Sequence, residues 1–214
     1  SWLSLSFKIF VKLSDRHVVL TLPLVFASSI TINSPLVLKC ENFPINILIL
    51  RIPLFEKIFK SPMWLFKKIS DMMFGSDFPW YYAESVAYKN KEEEHFYFTH
   101  TFYKHQQPWS DNFSTLVPFL DSEILDVKAM IRIKGNLYTK TNTIEHHGSH
   151  VDMPYKHKGA ILYINDNNGK TILEDGTEIE SKANRLLLFD ASKPHNSTSC
   201  TDAKSRININ INYF

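Results

Sequence analysis

Over residues 206–212 the chain alternates without a break, with Arg206, Asn208, Asn210 and Asn212 at one set of positions and Ile207, Ile209 and Ile211 at the other. Successive side chains of a strand point to opposite faces. The segment therefore predicts a strand with a polar face headed by an arginine and a purely aliphatic reverse. Residues 131–138 repeat the pattern and place Arg132, Lys134, Asn136 and Tyr138 together. Such polar faces are solvated in a one-sided sheet but line the interior of a barrel that holds a polar ligand, so an exposed edge strand and a pocket wall both stay open. From residue 129 onward, short β-prone runs are punctuated by Asn-Asp-Asn-Asn-Gly at 165–169 and Glu-Asp-Gly at 174–176, which indicates an antiparallel sandwich or barrel. Upstream, Trp64, Leu65, Ile69, Met72 and Met73 recur near helical spacing with Lys67, Lys68 and Asp71 between them. That predicts an amphipathic helix between Pro62 and Phe74 that buttresses the sheet. Residues 113–127 read as a second helix, and the aromatics crowding 78–109 read as core rather than as a substrate platform. The expected class is mainly β with flanking helices.

All six glycines lie at position 75 or later, whereas residues 1–60 combine apolar runs with Pro23, Pro35, Pro44 and Pro53. This shift divides the chain into an N-terminal extension of uncertain structure over 1–60 and one domain over 61–214, and the proline spacing excludes a long helix in the extension. Residues 18–38 carry no charge and are long enough to cross a bilayer. Pro23, Pro35, Asn33 and several Ser and Thr lower their hydrophobicity, so a packed extension is expected over a membrane span or signal segment. A serine at position 1 accords with a fragment or a misassigned start. A hydrophobic fraction of 44% with 21% charged residues is that of a globular chain. The net charge of +2 argues against nucleic acid or acidic membrane as an obligate partner. Cys40 and Cys200 are too few for a disulfide framework and read as free thiols, in keeping with a reducing, cytoplasmic setting.

The candidate chemistry lies at His150-Val-Asp152, at Pro194-His195 and at Arg206. Residues two apart on a strand share a face, so His150 and Asp152 are placed to share one metal, with His195 returning after a few more strands. Two imidazoles and a carboxylate suit Fe(II) and leave coordination positions open, and a downstream arginine offers a planar fork matched to a carboxylate. His146 and His150 have the spacing of a helical zinc pair, but Gly148 and the β-prone surroundings argue against a helix. His146 and His147 read as exposed loop residues, and His95, His100 and His105 as structural or exposed. Ser149 and Ser192 lack an oxyanion-loop signature, and Gly169-Lys-Thr171 lacks the earlier glycine of a phosphate loop and reads as a hairpin turn.

In these residues, over roughly 76–214, the sequence resembles the 2-oxoglutarate- and Fe(II)-dependent dioxygenases, whose motif is His-x-Asp, a distant His and a basic residue about ten positions beyond it. It looks most like phage and marine microbial members, through Asp-Phe-Pro-Trp-Tyr-Tyr at 77–82, Asn-Leu-Tyr at 136–138, Gly-Lys-Thr at 169–171 and Asn-Arg-Leu-Leu-Leu-Phe at 184–189. The resemblance implies a double-stranded β-helix, a cupin-like jelly roll, of the prolyl-hydroxylase-like or alkylation-repair-like branch. It implies Fe(II) on His150, Asp152 and His195, with 2-oxoglutarate as co-substrate on Arg206, Asn208, Asn136 and Tyr138. Tyr138 stands a few residues further from His150 than the motif leads one to expect. The implied reaction consumes O2, with ascorbate as an optional reductant, releases succinate and CO2, and hydroxylates a protein, peptide or small-molecule substrate. Asp152 favours hydroxylation over halogenation, because the carboxylate fills the position a halide would take. The alternative is a non-catalytic jelly-roll module that binds a metal or a sugar, since one barrel serves many functions.

Overall fold

The computed structural model describes residues 6–13, 16–23, 57–86, 95–122 and 124–214. The chain divides into two units, Ser1–Phe55 and Glu56–Phe214. In the first, strands β1 (Ser6–Leu13) and β2 (Arg16–Pro23) pair antiparallel, from Ser6 opposite Pro23 to Leu13 opposite Arg16. Most of the uncharged stretch 18–38, together with Cys40 and Tyr88, lies outside the described residues. Among the described residues no helix is long and apolar enough to cross a membrane.

The second unit begins with a short strand, β3 (Lys57–Lys60), followed by helix α1 (Met63–Phe74). Next come β4 (Tyr81–Ala83), β5 (Tyr97–Lys104), β6 (Gln107–Pro108), a 3-10 turn at Asp111–Thr115 and α2 (Val117–Leu120). Then follow β7 (Met130–Thr139), β8 (Lys158–Tyr163), β9 (Lys170–Leu173), β10 (Glu178–Glu180), β11 (Arg185–Asp190), β12 (His195–Ser197) and β13 (Ser205–Tyr213). They form a large sheet in the order β3-β11-β8-β13-β7-β5-β4, with β6 on β5, and a small sheet in the order β10-β9-β12. Every strand pair in both is antiparallel. The jelly-roll expectation is met.

β13 lies in the middle of the large sheet between β7 and β8, not at an edge, and almost its whole length is buried on both faces. Ile207, Ile209 and Ile211 pack in one core with Leu65, Phe66, Ile69 and Met73 of α1, Phe102 of β5, Ile133 of β7 and Leu162 of β8. Burying each such isoleucine contributes roughly 1.5–3 kcal/mol, so the apolar side of this strand is a main source of the unit's stability. Phe66 takes the buried helix position expected of Trp64, which is exposed instead. The helix expected over 113–127 is replaced by the 3-10 turn and the short α2. Pro118 has no N–H to continue a helix, and Asp126 turns out of helical backbone at φ 48°. Leu116, Phe119, Leu120 and Leu125 still reach the core.

Asn184 fastens the start of β11 to the turn before α1. Its Nδ2 donates to the Ser61 carbonyl (2.8 Å), and its Oδ1 accepts from the Ser61 amide (3.0 Å) and hydroxyl (2.6 Å). Its backbone is left-handed at φ 63°, a conformation that asparagine tolerates better than most residues.

Candidate metal and carboxylate site

The second unit gathers the ligand atoms of His150, Asp152 and His195 within 4.8 Å of one another. A single bridge does this: His150 and His195 exchange backbone hydrogen bonds of 3.0 and 2.9 Å, and the Asp152 amide donates to the Ala191 carbonyl at 3.2 Å. His150 and Asp152 thus lie on an extended loop segment, not in a regular strand, while His195 opens β12. Each imidazole is oriented by its own chain. His150 Nδ1 lies 3.1 Å from the Gly148 carbonyl and His195 Nδ1 lies 3.0 Å from the Lys193 carbonyl. With Nδ1–H donating to a carbonyl, Nε2 keeps its lone pair for a metal. Burial lowers the His195 pKa against the raising effect of Asp152, which favours the neutral, ligating form.

Asp152 is 9% exposed, and both of its oxygens are held. Arg132 donates to Oδ1 at 2.7 Å, while Asn210 and Asn212 donate to Oδ2 at 3.1 and 2.8 Å. Burial by itself would raise this carboxyl, but Arg132, His195 and the two amides together bring it down to about 2. Asn212 is braced in turn, by Arg132 Nε on its Oδ1 at 3.2 Å and by His157 Nε2 at 3.4 Å. Arg132, Asn210 and Asn212 carried a signal in the sequence, because they share the alternation of Arg206 and Asn136, yet nothing local tied them to Asp152. His157, 55 positions from Asn212, carried none.

The register of β13 against β7 arranges the polar face of the sheet as cross-strand rungs: Arg206 opposite Tyr138, Asn208 opposite Asn136, Asn210 opposite Lys134 and Asn212 opposite Arg132. The Asp152 end is therefore the Asn212 and Asn210 end, and Arg206 lies at the other. Arg206 is fully buried. Nε donates to Ser181 Oγ at 2.8 Å, Nη2 to Thr171 Oγ1 at 3.0 Å and Nη1 to the Thr198 carbonyl at 3.4 Å. The guanidinium lies 5.2 and 5.8 Å from the ring centres of Tyr138 and Tyr163. Among the described residues it has no acidic partner. Gly169 makes room for it: a Cβ there would lie 2.5 Å from Arg206 Cδ and 2.6 Å from the Ser199 carbonyl. Between the two ends, Asn136 Nδ2 donates to Asn208 Oδ1 at 2.9 Å, while Oδ1 of Asn136 and of Asn210 are buried without a partner.

Tyr138 is buried, stacked on Tyr97 (5.4 Å, 11°) and on His147 (5.0 Å, 22°). His147, expected in an exposed loop, is buried as well, with Nδ1 2.7 Å from Ser197 Oγ, and burial first, then nearby Arg206, lowers its pKa to about 3. His146 is exposed, and His100 is buried between the Pro79 carbonyl and Ser110 Oγ, distances 2.8 and 2.9 Å.

The sequence matches no family model, and no curated protein matches it. Solved structures match by shape. A prolyl hydroxylase from Trichoplax adhaerens, in complex with a hypoxia inducible factor oxygen degradation domain peptide fragment, is 15% identical with a TM-score of 0.54, covering 74% of this chain and 83% of that one. An oxidoreductase of the 2OG-Fe(II) oxygenase family from Burkholderia pseudomallei is 11% identical with a TM-score of 0.51, covering 63% of this chain and 72% of that one. An RmlC-like cupin protein from Desulfovibrio desulfuricans is 10% identical with a TM-score of 0.36, covering 61% and 91%. With the strand order, the first two likenesses identify the fold as the double-stranded β-helix, or jelly roll.

Proposed function

We propose that this chain is an Fe(II)- and 2-oxoglutarate-dependent dioxygenase that hydroxylates a protein side chain or a small molecule, releasing succinate and CO2. One observation carries the reading: a two-histidine, one-carboxylate cluster is held by the same polar sheet face as a fully buried guanidinium that has no acidic partner among the described residues. An uncompensated buried charge costs several kcal/mol, and an anion seated against Arg206 would offset that cost. A dicarboxylate with an oxo acid at one end meets both features at once. A metal alone leaves Arg206 unexplained.

The donor set fits the metal. Two imidazole nitrogens and one carboxylate oxygen on one side suit Fe(II) and leave positions for further ligands. His150 and His195 would bind through Nε2, and Asp152 through its carboxylate, whose Oδ2 lies 3.7 Å from His195 Nε2. Bound iron and 2-oxoglutarate would supply oxidising power for breaking a substrate C–H bond, driven by decarboxylation of the co-substrate. The chain's own residues bind and orient. Arg206 takes the distal carboxylate, with Thr171 and Ser181 fixing the plane of the guanidinium. Tyr138 lies on the rung of Arg206, and Asn136 and Asn208 lie on the next rung towards the Asp152 end. Asp152 stays ionised across the physiological range, because Arg132 and the two amides hold it there. The peptide bound to the Trichoplax enzyme is in keeping with a protein substrate here.

The test is anaerobic titration with Fe(II) and 2-oxoglutarate, followed by admission of air. Binding of both, then release of succinate, is the expected result. A chain that binds metal but neither 2-oxoglutarate nor O2-dependent turnover to succinate would instead be a non-catalytic module.

A further inference from the structure

The polar face carries three cations, Arg132, Lys134 and Arg206, and among the described residues only Arg132 is paired with a carboxylate, that of Asp152. Assigning Arg206 to the distal carboxylate of a co-substrate leaves Lys134. Its ammonium donates to Tyr97 Oη at 3.0 Å and lies 5.3 Å from the centre of that ring. The phenol is neutral, its pKa raised chiefly by burial, so it solvates the ammonium without balancing its charge. Lys134 faces Asn210 across the sheet, and Asn210 holds Asp152. Lys134 therefore belongs to the metal end. Arg206 lies over Tyr138, and Tyr138 stacks on Tyr97. Two cations thus flank one stacked tyrosine pair, Lys134 beside Tyr97 on the rung of Asn210 and Arg206 beside Tyr138 two rungs away.

We propose that Lys134 is a second carboxylate anchor, which binds the oxo-acid carboxylate of 2-oxoglutarate beside the metal while Arg206 binds the distal one. This rests on the dioxygenase reading. A lysine suits this end because its ammonium is a compact point charge with rotatable donors. It can bond an outer carboxylate oxygen and leave the inner one to the metal, whereas a planar guanidinium would engage both. Burial, with Arg132 adding repulsion, lowers the Lys134 pKa to about 8, so holding the charge is costly without an anion.

The test uses the full chain loaded with Mn2+ in place of iron, titrated by calorimetry with 2-oxoglutarate and with 2-oxopentanoate, which keeps the oxo-acid end and lacks the distal carboxylate. Lys134→Met is expected to weaken both ligands by about tenfold or more while Mn2+ binding and the melting temperature stay near wild type. Arg206→Met is expected to weaken 2-oxoglutarate alone. Lys134→Gln serves as a second neutral variant if the methionine disturbs folding, and Lys134→Arg should recover part of the loss. Wild-type affinity for 2-oxoglutarate in the two neutral variants overturns the anchor and leaves the dioxygenase reading standing. Absence of 2-oxoglutarate binding to the wild-type chain overturns both.

Discussion

Replacing Arg206 with methionine should separate stability from binding, moving them in opposite directions. Methionine keeps much of the aliphatic volume and removes the guanidinium. In the ligand-free chain the losses are bounded: Ser181 Oγ loses its donor, at about 1–3 kcal/mol if left unsatisfied, and the Thr198 carbonyl loses a long bond of 3.4 Å. The contacts with Tyr138 and Tyr163 contribute roughly 0.5–2 kcal/mol. Thr171 Oγ1 keeps the Tyr163 hydroxyl at 2.8 Å and is not orphaned. Against this, the variant is relieved of an unpaired buried charge worth several kcal/mol. The ligand-free variant should therefore melt at or above the wild-type temperature. Binding behaves otherwise. Two charge-assisted bonds to a carboxylate contribute roughly 3–5 kcal/mol, so the Kd for 2-oxoglutarate should rise by about two to four orders of magnitude. A ligand at a hundred times its Kd stabilises by about 2.7 kcal/mol, or roughly 5–10 °C for a domain of this size. Thermal melts with and without 2-oxoglutarate, on chain loaded with Mn2+, read both effects. A variant that melts several degrees low yet keeps the full ligand-induced shift would show that Arg206 is a structural residue, and the co-substrate reading would fall.

Arg132→Met should weaken metal binding by about 10–100-fold, the usual cost of losing a partner of a metal ligand, because Asp152 Oδ1 is then free to turn away; competition with a chromophoric chelator measures it. Gly169→Ala should destabilise the chain by roughly 1–3 kcal/mol and impair 2-oxoglutarate binding more than Mn2+ binding, since the new Cβ meets Arg206 Cδ and an unyielding carbonyl; equal melts and equal affinities would contradict it. His147 sets an acid limit. Its folded pKa of about 3 lies below its ordinary 6.5, so the unfolded chain takes up the proton first as the pH falls. The contribution is complete above 6.5 and is lost progressively towards 3, about 2 kcal/mol of it by pH 5. His147→Gln should flatten that limb in chemical denaturation of metal-free chain between pH 7 and 5.

The alternation at 206–212 and 131–138 was legible because a strand's period is strict, and α1 because its apolar spacing is nearly so. The core face of α1 was legible through Leu65, Ile69 and Met73, but its edge was not, since Trp64 and Phe66 flank Leu65 with equally apolar side chains and only the sheet chooses between them. The helix expected over 113–127 was read as too long because Leu116, Phe119, Leu120 and Leu125 have helical spacing, while Pro118 at its start and the left-handed Asp126 confine it to four residues. At the site, residue types and order suggested His150, Asp152 and His195, and the structure brings them together. The supports of Asp152 did not emerge, because Arg132 and Asn212 reach it from 20 and 60 positions away. His147 misled for a similar reason: its neighbours Tyr138 and Ser197 come from other strands.

β13 places the isoleucines of the core and the polar residues of the pocket on opposite sides of one ribbon. Deleting or inserting a single residue within it would bring asparagines to α1 and isoleucines to the pocket. This strand therefore has no length variant that folds and is merely inactive. Changes of chemistry must come by exchange of side chains at Arg206, Asn208, Asn210 and Asn212. Related chains with altered ligands should differ at those alternate positions while holding the strand at fixed length.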